Sequence, residues 1–187
     1  LHPDYDAGSS IRASRVPGAF PLKRPAMVDP TVALLVPYGV SMSTYSAIMN
    51  VTRNVDGVLR DIPLRVESGD WALPSLPLRL ATTVTSRAAE DYPAAVRPNW
   101  RRDTRLPQLS AADVLTGGRS ACREATNGPP ALKRAVVLVG YTASGLNDTK
   151  PTPVDPVMPG VEALGEATEA LVAGSWIRTP PAWLKYV

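Results

Sequence analysis

A chain of 187 residues with 44% apolar and 20% charged residues can bury the core of one domain. The net charge of +3 is too small to imply nucleic acid. The single histidine and single cysteine exclude a histidine-rich zinc centre, a thiolate metal site and an internal disulfide.

Residues 1–30 are polar and broken by Pro3, Pro17, Pro21, Pro25 and Pro30, so they read as an extended or poorly ordered lead-in. The chain opens on Leu1 rather than Met and is expected to be part of a longer polypeptide. Residues 31–37 (TVALLVP) form a short β-branched run with the character of a buried strand. A hairpin is predicted next, with 47–53 leading into Asn54-Val55-Asp56-Gly57 and 58–66 leading out. Asp-Gly supplies the positive φ that such a turn needs. Pro63 lacks an N–H and places the second strand at an edge or a bulge. Ser68-Gly69-Asp70 marks another turn.

Pro74 precedes Leu76, Leu80 and Val84 at helical spacing, which predicts a helix. Residues 90–109 read as a loop, with Arg97, Arg101, Arg102 and Arg105 around Trp100 as a solvated basic surface. Ser110 and Asp113 form a capping-box pattern for a short helix that Gly117-Gly118 stops. Residues 135–139 (AVVLV) have the unbroken apolar pattern of a strand buried on both faces, as in a parallel sheet. A proline-rich loop spans 141–159. The last helix opens near Pro159-Gly160, carries Val161, Leu164, Leu171 and Val172 on one stripe and Glu162, Glu166 and Glu169 on the other, and stops at Gly174. The acidic stripe reads as a solvated face, with Glu162 the exception because it sits in the first turn beside the loop. The fold class that follows is α/β, a mixed sheet with β-hairpins and packed helices, three-layer-like. Residues 31–177 make the single domain and 178–187 its tail.

The chemistry for catalysis is thin. A Ser-His-Asp or Cys-His site would have to use His2, and no Gly-x-Ser-x-Gly elbow is present. The turn from Gly140 to Gly145 follows an apolar run but lacks the Gly-Lys-Ser/Thr of a phosphate loop. No catalytic residue, metal or cofactor is therefore expected. The end of that run is where open α/β sheets bind ligands. The candidate contacts there are Thr142, Ser144, Asp148, Thr152 and Glu162. Asp148 and Asp155 have a second reading, as side chains that tie the loop to its own N–H groups. The tail mixes Trp176, Trp183, Lys185 and Tyr186, a blend favoured at a membrane interface and equally found in an ordinary C-terminus.

Four segments, in order, resemble the second type of CHASE domain, the cyclase- and histidine-kinase-associated sensory extracellular domain. Asn54 to Leu64 is similar to a D-x-D-G-V-x-R-x-x-P-L hairpin, with Asp56, Gly57 and Arg60 as its motif residues. Leu106 to Leu115 resembles an S-A-x-D-V-L helix start, and Val136 to Asp148 resembles V-L-I-G-x-T-A-x-G-x-x-D, with Gly140 at its turn. Thr152-Pro153 followed by Met158-Pro159-Gly160-Val161-Glu162 resembles T-P…M-P-G-V-E. Three features depart from the pattern. Leu164 stands where the family commonly has histidine, Asn54 where it often has Asp, and a strand–helix–strand start is unrecognisable in 1–30.

The resemblance implies an extracytoplasmic sensory domain, periplasmic or extracellular, of a bacterial transmembrane receptor. This fragment would not be an enzyme. Its signal would be a small molecule or an ion. Its partner in the same polypeptide would be a cytoplasmic output module, such as a nucleotide cyclase or a kinase, and residues 178–187 would approach the membrane. A homodimer is compatible with this, and no nucleic acid is expected. The alternative is an interaction or dimerisation module of a membrane protein with no small ligand.

Overall fold

The computed structural model of the chain describes residues 9–34, 47–49, 54–101, 106–115, 122–123, 135–142 and 148–178. Residues 9–30 of the proline-spaced lead-in fold back on themselves. Its strand β1 (Ser9–Arg12) is followed by a 3-10 turn at Ala13–Arg15 and by β2 (Phe20–Pro21), and β3 (Thr31–Leu34) pairs antiparallel with β1. Asp29 fastens this turn by accepting from the Ser14 N–H at 2.9 Å and from the Ser14 hydroxyl at 2.7 Å. Ala13 and Val16 are buried here with Leu73 in a small core, and Phe20 enters the main one.

The turn at Asn54-Val55-Asp56-Gly57 forms as its residues require. Gly57 takes φ +80°, its N–H donates to the Asn54 carbonyl at 2.8 Å, and Asp56 accepts from the Val58 N–H. The expected outgoing strand is divided. Residues 62–63 form β4 (Ile62–Pro63), and β5 (Arg65–Ser68) follows after Leu64. β5 pairs with β6 (Trp71–Pro74) across the turn at Gly69, and β6 also pairs with β2, giving the three-stranded order β2-β6-β5. β4 instead pairs with β7 (Ala95–Val96). From Ile62 onward the outgoing chain thus pairs with β7 and β6 rather than with the chain before the turn. Residues 50–53 lie outside the described residues, and Ile48 bridges Ser75 in parallel. Leu64 breaks the strand because its N–H goes to the Ala94 carbonyl while its own carbonyl serves Ser75.

Helix α1 (Leu76–Thr85) starts after Ser75, with Pro77 in its first turn, where a missing N–H is harmless. Its buried face is Pro77, Leu78 and Ala81, whereas Val84 of the predicted stripe is exposed. The face is rotated because α1 packs on the last helix through Leu78 and Ala81. Strand β8 (Gln108–Leu109) precedes helix α2 (Ala111–Leu115) and pairs with β9 (Cys122–Arg123). Strand β10 (Thr149–Lys150) pairs with β11 (Met158–Pro159), which runs directly into α3 (Gly160–Ala173). Gly174 closes α3 at φ +67°, and its N–H donates to the Ala170 carbonyl. The described elements make a mixed α/β fold of small antiparallel sheets and helices.

The main core joins Leu59, Ile62, Leu64, Leu78, Tyr92 and Val96 to Met158, Ala163, Ala167 and Leu171 of β11 and α3. Two expectations fail on burial. Glu166, read as part of a solvated stripe, is only 9% exposed, while Glu169 is exposed and Glu162, set apart from that stripe beside the loop, is 6% exposed. Helix α3 is enclosed on nearly all sides, because α1 lies on one side and the segments around Leu106 and Leu138 meet it at Gly165. The apolar run at 135–139 is outside any strand, and Val137 and Val139 are 57% and 91% exposed. Burial on both faces needs a layer on each side. Among the described residues this run meets α3, through Leu138 beside Gly165 and Gly140 beside Val161.

Candidate functional site

The start of α3 brings together Gly140, Asp148, Gly160 and Glu162 of the residues singled out in the sequence. Three close approaches build it. A methyl group on Gly140 would lie 2.6 Å from Val161 Cβ, and one on Gly160 would lie 2.6 Å from an Asp148 carboxylate oxygen. Neither position has room for a side chain, so the ends of the loop are held against the first turn of the helix. The third approach is a main-chain link, in which the Gly160 N–H donates to the Asp148 carbonyl at 2.8 Å.

Asp148 therefore sits at the helix start with its side chain 56% exposed, where it pairs with Lys150 at 3.1 Å. A carboxylate at this end also meets the positive end of the helix dipole. Thr142 is exposed on the chain just beyond Gly140. Ser144 lies outside the described residues. Thr152 and Glu162 point inward. Thr152 is buried, its hydroxyl donates to the Asp155 carbonyl at 3.0 Å, and it accepts from the Asp155 N–H at 3.1 Å. Asp155 in turn accepts from the Val157 N–H at 2.9 Å. Asp155 thus fastens its own backbone, as its second reading has it, whereas the Asp148 side chain pairs with Lys150. Glu162 accepts from Gln108 Nε2 at 3.0 Å, a link between β8 and α3 across 54 positions. Its burial makes such a donor necessary, because an unbonded buried carboxylate costs several kcal/mol at roughly this depth.

A second polar cluster stands at the hairpin, and its Asp61–Arg97 pair is absent from the sequence reading. Arg97, expected in a solvated loop, forms a two-pronged pair with Asp61, Nε and Nη2 each 2.8 Å from a carboxylate oxygen. Asn54 Nδ2 donates to the same carboxylate at 3.3 Å, while Asn54 Oδ1 accepts from the Arg60 N–H at 2.9 Å. The Arg97 guanidinium holds the Asp61 carboxyl below its ordinary value; burial opposes this, and Asn54 adds to it. Arg60 pairs with Asp56, whose carboxyl is lowered first by that guanidinium and then by the Val58 N–H. Trp100 Nε1 donates to the Arg60 carbonyl at 3.2 Å, so the Trp/Arg segment packs on the hairpin. Nothing local in the sequence signals the Asp61–Arg97 pair, since its members are 36 positions apart.

The hairpin and the loop touch. The Leu59 N–H donates to the Pro151 carbonyl at 2.7 Å. Asp61, Asn54, Thr152, Asp148 and the start of α3 thus belong to one connected region. Among the described residues no group of three histidine, cysteine or acidic side chains could hold a metal, and no helix is long and apolar enough to cross a membrane. Trp183, Lys185 and Tyr186 of the tail lie outside the described residues.

The family model of the CHASE2 domain matches residues 11–187, nearly the whole chain and including most of the lead-in. No curated protein and no solved structure matches the chain.

Proposed function

The chain belongs to the CHASE2 domain family, a family of sensory extracellular domains, and from that premise we propose that it is the signal-receiving part of a bacterial transmembrane receptor. The family supports a sensory role and a place outside the cytoplasm in general terms. The receptor itself, its cytoplasmic cyclase or kinase output and the membrane tether are our reading.

One observation carries the mechanism. The loop ends Gly140 and Asp148 close on the first turn of the helix that leads to the C-terminal tail. A signal that binds one packing of this loop better than another shifts the position or population of α3. Asp148 and Thr142 are the exposed groups that a small molecule or ion would reach, with Ser144 between them in sequence. Thr152 and Glu162 then act by holding the loop and helix in one arrangement.

A thermal-melting panel of metabolites and ions tests this. Saturating ligand at about 100 times its Kd stabilises by about 2.7 kcal/mol, which is a shift of several degrees. A folded chain whose midpoint no compound moves argues against direct small-ligand sensing. The reading then passes to the interaction module, which has its own support here. The loop polar groups are largely partnered within the chain, Thr152 with Asp155, Asp148 with Lys150 and Glu162 with Gln108.

A further inference from the structure

The exit from α3 carries the features of a catch. After Gly174, the Ile177 N–H donates to the Arg97 carbonyl at 2.9 Å. The residues just before Arg97 are β7, which pairs on its other side with β4, Val96 opposite Ile62. Residues 62–63, 95–97 and 177 therefore lie in three adjacent rows. Arg97 stands in the middle row. Its carbonyl holds the exit on one side, and its guanidinium reaches across to Asp61 on the other.

The Ser175 N–H donates to the Ala170 carbonyl at 3.0 Å and ties the start of the exit to α3 itself, and the further grip on the core is aromatic. Trp176 lies 6.5 Å from Tyr92, ring centre to ring centre and tilted, and packs on the edge of the main core. Arg178 stands over its ring at 5.8 Å. Tyr92 is fixed from behind by the Thr85 hydroxyl at 2.8 Å. This hold is local. Residues 173–175 are exposed, a methyl group on Gly174 would touch nothing, and Ile177 is 47% exposed. A segment held to the sheet and core by one ladder bond and one half-buried ring undocks at lower free energy than the helix before it opens.

We propose that the exit segment 175–178 is a two-position latch, docked on β7 or released, with the Asp61–Arg97 pair as its catch. The proposal rests on the sensory reading above and deepens it. The catch adjoins the candidate loop, because Asp61 is two residues from Leu59, whose N–H holds the Pro151 carbonyl. A shift of the loop reaches the exit through the hairpin by this route, independently of any movement of α3. Release at Gly174 would free the chain that continues toward the C-terminus while the core stays folded.

The experiment is amide hydrogen exchange, residue by residue, on the full 187-residue chain. In Asp61→Ala the Ile177 amide should exchange about tenfold faster, the effect of losing a charge-assisted fork that fixes its acceptor. The amides of residues 167–171 in α3 should change by less than a third as much. Arg97→Lys keeps the charge and loses the fork; it should give the same pattern more weakly, and it decides the matter if Asp61→Ala does not fold. An unchanged Ile177 amide, or exchange that rises in step along Ile177 and α3, overturns the latch. No ligand is added, so this outcome and the melting panel fail or succeed separately.

Discussion

Replacing Gly165 with valine tests whether α3 is packed as described. The site is in the middle of the helix, and a Cβ there would collide with Leu106 Cδ1 and come within 3.2 Å of Leu138 Cδ1. Two effects compete. Valine is a better helix former than glycine by about 0.4 kcal/mol. Forcing extra methyl groups into a filled space costs about 1–3 kcal/mol. The second wins, because the branched side chain adds two carbons beyond the Cβ that already collides. A net loss near 2 kcal/mol lowers the melting midpoint of a chain this long by about 4–8 °C. Differential scanning fluorimetry reads this directly. The cause is isolated by a cycle with Leu106→Ala, which removes the obstructing methyl groups. Gly165→Val should then cost less in the Leu106→Ala background, by at least about 0.5 kcal/mol. A midpoint for Gly165→Val at or above that of the unmodified chain would refute the close approach of Leu106 and Leu138 to α3.

Leu59 is fully buried and joins the hairpin to the main core, so Leu59→Ala should cost about 2–5 kcal/mol, read as a lower urea midpoint with an unchanged slope. Asp70 accepts from the Val28 and Met27 N–H groups, which hold its carboxyl below the ordinary value of 3.8, with Lys23 adding to the effect. A lowered native value favours the folded state above the ordinary value and stops doing so as pH falls through the native one. Stability should therefore be level down to about pH 5 and decline below it, and in Asp70→Asn the acid decline of the melting midpoint should be shallower. Identical acid slopes in the two proteins would remove Asp70 as a contributor.

Short-range features were legible in the sequence. The Asp56-Gly57 and Gly69 turns, a helix carrying Leu76 and Leu80 and the stop of α3 at Gly174 all formed, because each depends on the dihedral angles available to a few neighbouring residues, although Pro74 ends β6 and the helix begins after Ser75. The ordered motifs also named the family. Phe20 shows where the reading ran short at the N-terminal side. Proline spacing carries no record that this chain lies along β6 and that Phe20 enters the core.

What tertiary structure alone decided is which side of each element meets something else. Glu166 looks solvated on a helical wheel, yet it is buried on a helix that the chain around Leu106 reaches from far away in sequence, as Gln108 reaches Glu162. Val137 and Val139 look buried by composition, yet they are exposed because the run rests on α3 through Leu138 and Gly140. Asp61 and Arg97 were unremarkable until β4 and β7 paired and set them side by side. Backbone preference is a local property and survives in the sequence as pattern. Burial and pairing are properties of two segments at once, and a single segment read by itself holds only one half of them.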